Sequence, residues 1–443
     1  VKEIFKKVMP LSLIVALRFF GLFIVLSVLS QYAVELPGGT AFLAGIAVGG
    51  YALTQAVLQV PFGVLSDRIG RKKTLLIGLL IFAAGSVVCA VADNIYVLLL
   101  GRFLQGAGAI GSVVTAMIAD HVRENQRAHA MAVMGMTIAM SFAAAMIIGP
   151  IVGGLWSVKA LFWLTAILAL MALAILFTAV PEPPKIVHSY SEEEAKIKHV
   201  FKDKDLVRMY ITFLFHSSTM AIAFFLIPLV MKQKFGMGPE SYWKIYLPAV
   251  FFGIIAMGPA AVFGEKYNKG KEVFLISIVF IAASFALMGW SSSVFWFGVG
   301  ATFFFIGFNM FEPLLQSFVS KFAKVHQKGA ALGVANTFAY VGIFLGGAIG
   351  GWLYQKFGES GVAAFVLVLC IFWAAWIFSM RSPGVRDNLF LPFEDYDKEK
   401  IDGLKMVNGV TDFYLNETEQ IIVVKFDNEI VDAEVIDTFL KKH

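Results

Sequence analysis

The chain reads Gly63-Val64-Leu65-Ser66-Asp67-Arg68-Ile69-Gly70-Arg71-Lys72-Lys73 between two long apolar runs. A glycine, an acid four residues on, a second glycine and a basic cluster mark where the chain leaves one run and enters the next. An acid at the mouth of an apolar helix must be solvated, paired or held against a helix N-terminus. Basic residues flanking such helices mark a cytoplasmic loop. Nucleotide loops and dinucleotide fingerprints space their glycines differently, so this stretch does not read as a phosphate cradle.

The flanking runs belong to a chain whose composition demands a bilayer as partner. Of 443 residues, 58% are hydrophobic, 43 are Phe and only 15% are charged. A soluble domain of this length could not cover its surface with so few charges. A spanning helix needs roughly 20 apolar residues. Twelve runs qualify, near 8–34, 41–65, 74–92, 95–119, 128–154, 158–180, 206–231, 240–263, 272–290, 294–320, 329–355 and 361–380. No cleavable signal is expected, since Lys2, Lys6 and Lys7 lead straight into the first run. Cys89 and Cys370 both fall inside apolar runs, which gives no disulfide framework and no metal spacing.

Loop charge sets the orientation. Arg68, Arg71, Lys72, Lys73, Arg123, Arg127, Lys266, Lys269, Lys271, Lys321, Lys324 and Lys328 fall on one side, against Lys159, Lys232, Lys234 and Lys356 on the other. The first side is therefore cytoplasmic, and an even number of spans places both termini there. The expected location is a bacterial inner (plasma) membrane, crossed many times.

Pro181-Glu182-Pro183-Pro184 closes the first six runs. The expected division is a six-helix bundle at 1–184, a polar cytoplasmic linker at 185–205 with room for one amphipathic helix, a second six-helix bundle at 206–386 and a tail at 387–443. The halves echo each other. Asp67 recurs as Glu265 and Arg18 as His216, each 198 residues on. Gly149-Pro150-Ile-Val-Gly153-Gly154 recurs as Gly346-Gly347-Ala-Ile-Gly350-Gly351, 197 residues on. Two similar bundles around one midplane site are what a rocking transporter needs.

Charges inside the spans are the candidate pathway. Arg18 lies in span one, Gln55 and Gln59 one turn apart in span two, Arg102 and Gln105 in span four, His216 in span seven and Glu312, beside Pro313, in span ten. A charge near the bilayer centre costs at least ~3 kcal/mol, so each must face a cavity or a partner. Plainer readings stand beside the functional ones. Arg102 with Gln105 makes a structural clamp, His216 a packing histidine, and Glu312 the partner of an arginine. Burial penalises the charged form of a carboxylate, which suits Glu312 to taking up and releasing a proton.

The loop at Gly63–Lys73 resembles the loop 2–3 signature of the major facilitator superfamily. Gly101-Arg102-Phe103-Leu104-Gln105-Gly106 resembles the second signature of that family. Ala145 with Gly149-Pro150 and Gly153-Gly154 resembles its third, typical of drug–proton antiporters, with Ala145 where the family usually has Gly. Small residues at this spacing let another helix approach, and the proline frees a carbonyl and bends the span. The resemblance implies an all-α membrane protein of twelve helices in two six-helix bundles, working by alternating access on a small-molecule substrate. It implies the proton gradient as energy source and no cofactor or metal. It gives Arg102 a part in proton transfer. It sets Asp67 against the cytoplasmic N-terminus of span eleven, as a latch of the outward-facing state. Gly63, Arg68, Gly70, Arg71, Lys72, Asp120 and Arg123 complete that gating network.

Beyond Arg386 the composition switches. Residues 387–443 hold fourteen acids against six lysines, a net of −8, in a chain whose total is +5. Leu389–Phe393 reads as a strand, Asp397–Val407 as a helix, Val410–Leu415 and Gln420–Phe426 as strands, and Val431–Lys442 as an amphipathic helix. That order is a small cytoplasmic α+β domain of ferredoxin-like type, one strand short. A tail without Cys argues against soft-metal capture, and its acidity against nucleic acid. Twelve spans with such a tail resemble one subgroup of the same family over nearly the whole chain. An acidic domain under a basic face suggests docking that biases gating; a plain assembly module is the alternative.

The expectation is a monomeric, proton-coupled secondary transporter that exports small hydrophobic or amphipathic solutes. A nutrient symporter or facilitator, and a membrane sensor with little transport, remain as alternatives. No nucleophile–base pair, nucleotide loop or metal-ligand spacing points to an enzyme.

Overall fold

The computed structural model describes residues 2–122, 124–181, 201, 203–323, 327–380, 386–392, 401, 403–416, 420–427 and 430–441. Arg123 and nearly all of the 185–205 linker lie outside the described residues.

Apolar runs that cannot leave their peptide groups bare in lipid close them as helices. Spans one to three are Lys2–Glu35, Ala41–Ile69 and Arg71–Ala90. Span four is Ile95–Ala107 followed by Gly111–His121, broken between them. Spans five to seven are Glu124–Leu155, Val158–Thr178 and Lys204–Gln233. Span eight is Trp243–Ala261 with a wider π turn at Val262–Lys266, and Gly270–Trp290 and Val294–Phe322 are nine and ten. The helix Lys328–Phe378 covers spans eleven and twelve. The chain turns at Gly358, whose φ of 65° a side chain would resist. Helix starts are set by local caps: the side chains of Thr40, Asn94, Ser157 and Asp203 each accept a backbone N–H of the first turn.

Spans one to six and seven to twelve pack as two bundles that meet along spans one and seven and along two and eleven. The second seam is backbone on backbone. A Cβ on Gly45 would stand 2.1 Å from the Gly347 carbonyl oxygen, and one on Gly351 2.5 Å from the Ala41 carbonyl oxygen. Only glycine lets two helices approach so closely. The span-five signature is used in the same way. A Cβ on Gly149 would meet the Ile24 carbonyl oxygen of span one at 2.2 Å, and one on Gly154 the Glu240 amide at 2.5 Å. Gly153 lies against Leu161 and Val28, and Pro150 stands inside the helix.

The tail forms a three-stranded antiparallel sheet of β1 (Arg386–Pro392), β2 (Val410–Asn416) and β3 (Ile421–Asp427) in the order β1-β3-β2. Leu389 and Phe413 both pair with Val424 across the central strand. Ile422, Val424 and Phe426 of β3 share a core with Leu404, Ile436 and Leu440, the last two from the terminal helix Ala433–Leu440. Much of the helix expected over 397–407 lies outside the described residues; Leu404–Met406 is a 3-10 turn. Strand alternation sends Val423 and Lys425 to the opposite face. Lys425 is 3% exposed. Its Nζ donates to the carbonyl oxygens of Ser320 at 3.2 Å, Lys321 at 2.7 Å and Ala323 at 2.5 Å, at the end of span ten. The tail thus docks by a buried lysine that caps the negative end of a helix.

Candidate transport pathway and cytoplasmic corner

Polar and aromatic contacts join the halves at the midplane and toward the outer side. At the outer end, Tyr242 donates to Gln31, the Phe42 amide donates to Gln355 at 3.1 Å, and Lys232 lies 3.9 Å from Glu35. Nearer the middle, Phe142 of span five meets Phe224, Phe305 and Phe308 of the second half, with centroids 5.8, 6.2 and 6.4 Å away. Toward the cytoplasm the seam opens. A Cβ on Gly135 of span five, Gly258 of span eight, or Gly329 or Gly333 of span eleven would meet nothing within 4 Å. The outer side is closed and the cytoplasmic side open.

At the midplane the two halves share one polar chain. Arg18, 1% exposed, donates from Nη2 to Gln55 Oε1 at 3.0 Å, and Gln55 Nε2 donates to the Tyr340 hydroxyl of span eleven at 2.7 Å. Phe82 and Phe19 lie against the guanidinium, with ring centroids at 5.2 and 5.8 Å. Nε and Nη1 of Arg18 have no partner among the described residues. Tyr340 was not singled out from the sequence, although a phenol inside an apolar run was a readable signal. Gln59, a turn from Gln55, is 7% exposed and stays out of this chain; its backbone carbonyl accepts from Ser112 at 3.0 Å.

Arg102 is bonded very differently. Its Nε donates to the Ala47 carbonyl at 2.9 Å, Nη1 to Gln105 Oε1 at 2.7 Å and Nη2 to the Val48 carbonyl at 3.4 Å. Gln105 in turn donates to Ser86 at 2.9 Å, and the cation lies 4.8 Å from the Tyr51 ring. This geometry ties spans two, three and four together, as a clamp does. His216 is packed: its ring stacks on Phe308 at 4.2 Å and 8°, and Nε2 bonds the Phe308 carbonyl oxygen at 3.2 Å.

Glu312 has no ion pair among the described residues and is exposed. Its helical position places it one turn toward the cytoplasm from Phe308, on the stripe that also carries Phe305. Those two phenylalanines touch Phe142 of the other half, so Glu312 faces the gap that opens below them.

The cytoplasmic corner is built by charge. Gly70 turns the chain from span two to span three at φ 99°, which only glycine adopts at low cost. Arg71 then gathers the corner. Nη1 lies 2.5 Å from Asp67 Oδ1 and 2.5 Å from Ser66 Oγ, and Nε lies 3.0 Å from Asp120 Oδ2 of span four. Asp67 is 66% exposed and pairs with Arg71 of its own half. Gly63, Arg68 and Lys72 stand around it, with Arg68 exposed. The second half repeats the plan. Glu265 accepts from Ser317 and Lys321 of span ten, the span whose end Lys425 caps.

Two bundles of six helices, closed on one face around a midplane polar chain, define a multi-pass transporter rather than an enzyme. The chain belongs to the Major Facilitator Superfamily, whose profile matches residues 11–346 and 247–401. It is 33% identical over 440 residues to the inner membrane transport protein YajR of Escherichia coli (strain K12), covering 98% of this chain and 96% of that one. It is 28% identical over 371 residues to the quinolone resistance protein NorA of Staphylococcus aureus, covering 81% and 92%. Its fold superposes with a TM-score of 0.71, at 14% identity, on a bacterial homolog of the human lysosomal transporter Spinster in an inward-facing and occupied conformation, covering 84% of this chain and 95% of that one. The protein is a multi-pass inner-membrane transporter of this superfamily.

Proposed function

We propose that the protein is a proton-coupled exporter of small hydrophobic or amphipathic solutes. The observation that carries this reading is the place of Glu312. A carboxylate with no ion pair among the described residues faces the gap between the halves in this reading, below an aromatic seal and toward the cytoplasm. Such a group gains a proton when the pathway faces the outer medium and must lose it inside, because a bare charge in a closing apolar pathway is costly. The antiporter-like signature of span five and the likeness to NorA, a quinolone resistance protein, support export. The chain Arg18–Gln55–Tyr340 links the halves and would re-form as they rock.

Asp67 and the Arg71 network serve in this reading as the inner latch. It is unmade here, where the cytoplasmic side is open, and closes on the N-terminus of span eleven when the bundles rock. The tail is read as a ferredoxin-like module lacking its last strand, since β1-β3-β2 is the strand order that fold requires. Its contact with span ten beside the Glu265 corner supports a part in biasing gating.

Inside-out vesicles test the reading. An acid lumen should drive accumulation of an exported amphiphile such as a quinolone, and Glu312→Gln should abolish that drive while sparing solute exchange at equal pH. Accumulation driven by an alkaline lumen would instead assign the protein to symport.

A further inference from the structure

The same half of the molecule contains two buried arginines, and they differ in one respect. Arg102 spends Nε, Nη1 and Nη2 on fixed acceptors within its own bundle. Arg18 spends one bond, to Gln55, and its Nε and Nη1 meet no acceptor among the described residues. No carboxylate of the described residues forms an ion pair with it. A buried donor left unbonded costs about 1–3 kcal/mol, and more when it carries charge. A chain that saturates one arginine has the means to saturate the other.

The surroundings specify what those donors could bind. Arg18 sits where the halves meet, one bond from Gln55 and two from Tyr340 of the opposite half. Aromatic rings bound the place: Phe19 and Phe82 lie beside the cation, and the Phe142–Phe308 seal closes the outer side. A group completing this site needs negative charge and acceptor oxygens at one end and a flat apolar body behind it. Charge-assisted bonds to a carboxylate are about twice as strong as neutral ones, and rings stack on aromatic side chains.

We propose that Arg18 receives the carboxylate of the transported solute, and that the protein's substrate class is amphipathic aromatic carboxylates. The proposal rests on the reading of the gap between the halves as the transport pathway. Glu312 is then kept from the same role by its sign: it repels the anion unless protonated, so proton and solute are handled by separate groups in separate halves.

Equilibrium binding to the full chain in detergent at neutral pH, without any gradient, tests this with three matched probes: 1-naphthoate, 1-naphthylmethanol and 1-naphthyltrimethylammonium. Saturable binding of naphthoate at least tenfold tighter than either of the others is expected. Arg18→Gln should lower naphthoate affinity at least tenfold and Arg18→Lys by less, with Gln55→Ala intermediate. The proposal is overturned by a preference for the ammonium or alcohol probe, by no saturable binding of naphthoate, or by unchanged naphthoate affinity in a folded Arg18→Gln. The wild-type comparison decides the matter even where a variant fails to fold. Naphthoate binding without proton-driven flux would sink the exporter reading alone; proton-driven flux of a cation without naphthoate binding would sink this one alone.

Discussion

At the residue scale, buried polar groups are sorted by how many of their bonds are already made. Arg102 is saturated by two backbone carbonyls and Gln105, so its truncation leaves three groups of span two and span four bare. Each costs about 1–3 kcal/mol. Arg102→Ala should therefore lower thermal stability sharply, and more than Arg18→Ala, which breaks one bond; unfolding of the two variants in the same detergent checks this. Asp67 has the opposite character. Its carboxylate is largely exposed and, among the described residues, bonded within its own corner, so Asp67→Asn should leave stability within ~1 kcal/mol. It should instead shift the conformational balance further toward inward opening. Distance labels on the cytoplasmic ends of spans two and eleven read that balance, and an unchanged distribution would sink the latch.

At the element scale, glycine and one lysine decide how helices and the tail meet. The seam of spans two and eleven is set by Gly45, Gly347 and Gly351, with backbone where side chains would normally stand. Gly45→Leu should keep the outer seam from closing, holding the molecule open to the outside and stopping exchange. Labels at Glu35 and Lys232, which meet in the closed seam, would separate. The repeated glycines of span eleven were legible as an echo of span five, but not their partner, because periodicity does not say which helix a small-residue face meets. The sheet of the tail was equally legible from alternation. Its docking was not: net acidity pointed to charge complementarity, whereas among the described residues a buried lysine donates to three carbonyls. Lys425→Ala should free the tail from span ten without altering bundle unfolding, so limited proteolysis should detach the tail faster.

At the scale of the whole molecule, the proposed function requires the two halves to act as levers about the midplane. Their outer faces are joined by Tyr242–Gln31 and Lys232–Glu35, while toward the inner side a Cβ on Gly135, Gly258, Gly329 or Gly333 would meet nothing within 4 Å. A thiol crosslinker with a reducible spacer, joining Gln31→Cys to Tyr242→Cys, should lock the outer seam. Flux should fall to background and return on reduction, while binding from the cytoplasmic side survives. Loss of binding together with flux would mean that the pathway does not open inward.

By itself the sequence determined that this chain crosses a bilayer many times, which side its loop charge marks as cytoplasmic, and which few polar residues stand inside the apolar runs. Run length, loop charge and internal repeats are properties of a line, and lipid enforces them residue by residue. Only the tertiary structure decided that Arg102 is bonded through Nε, Nη1 and Nη2 while Nε and Nη1 of Arg18 have no partner among the described residues, that His216 stacks on Phe308, and that Tyr340 bonds Gln55. The physical reason is rotational. Which bonds a side chain completes depends on how each helix is turned and on which neighbour closes against it, and a hydrophobic pattern in lipid leaves that angle unspecified.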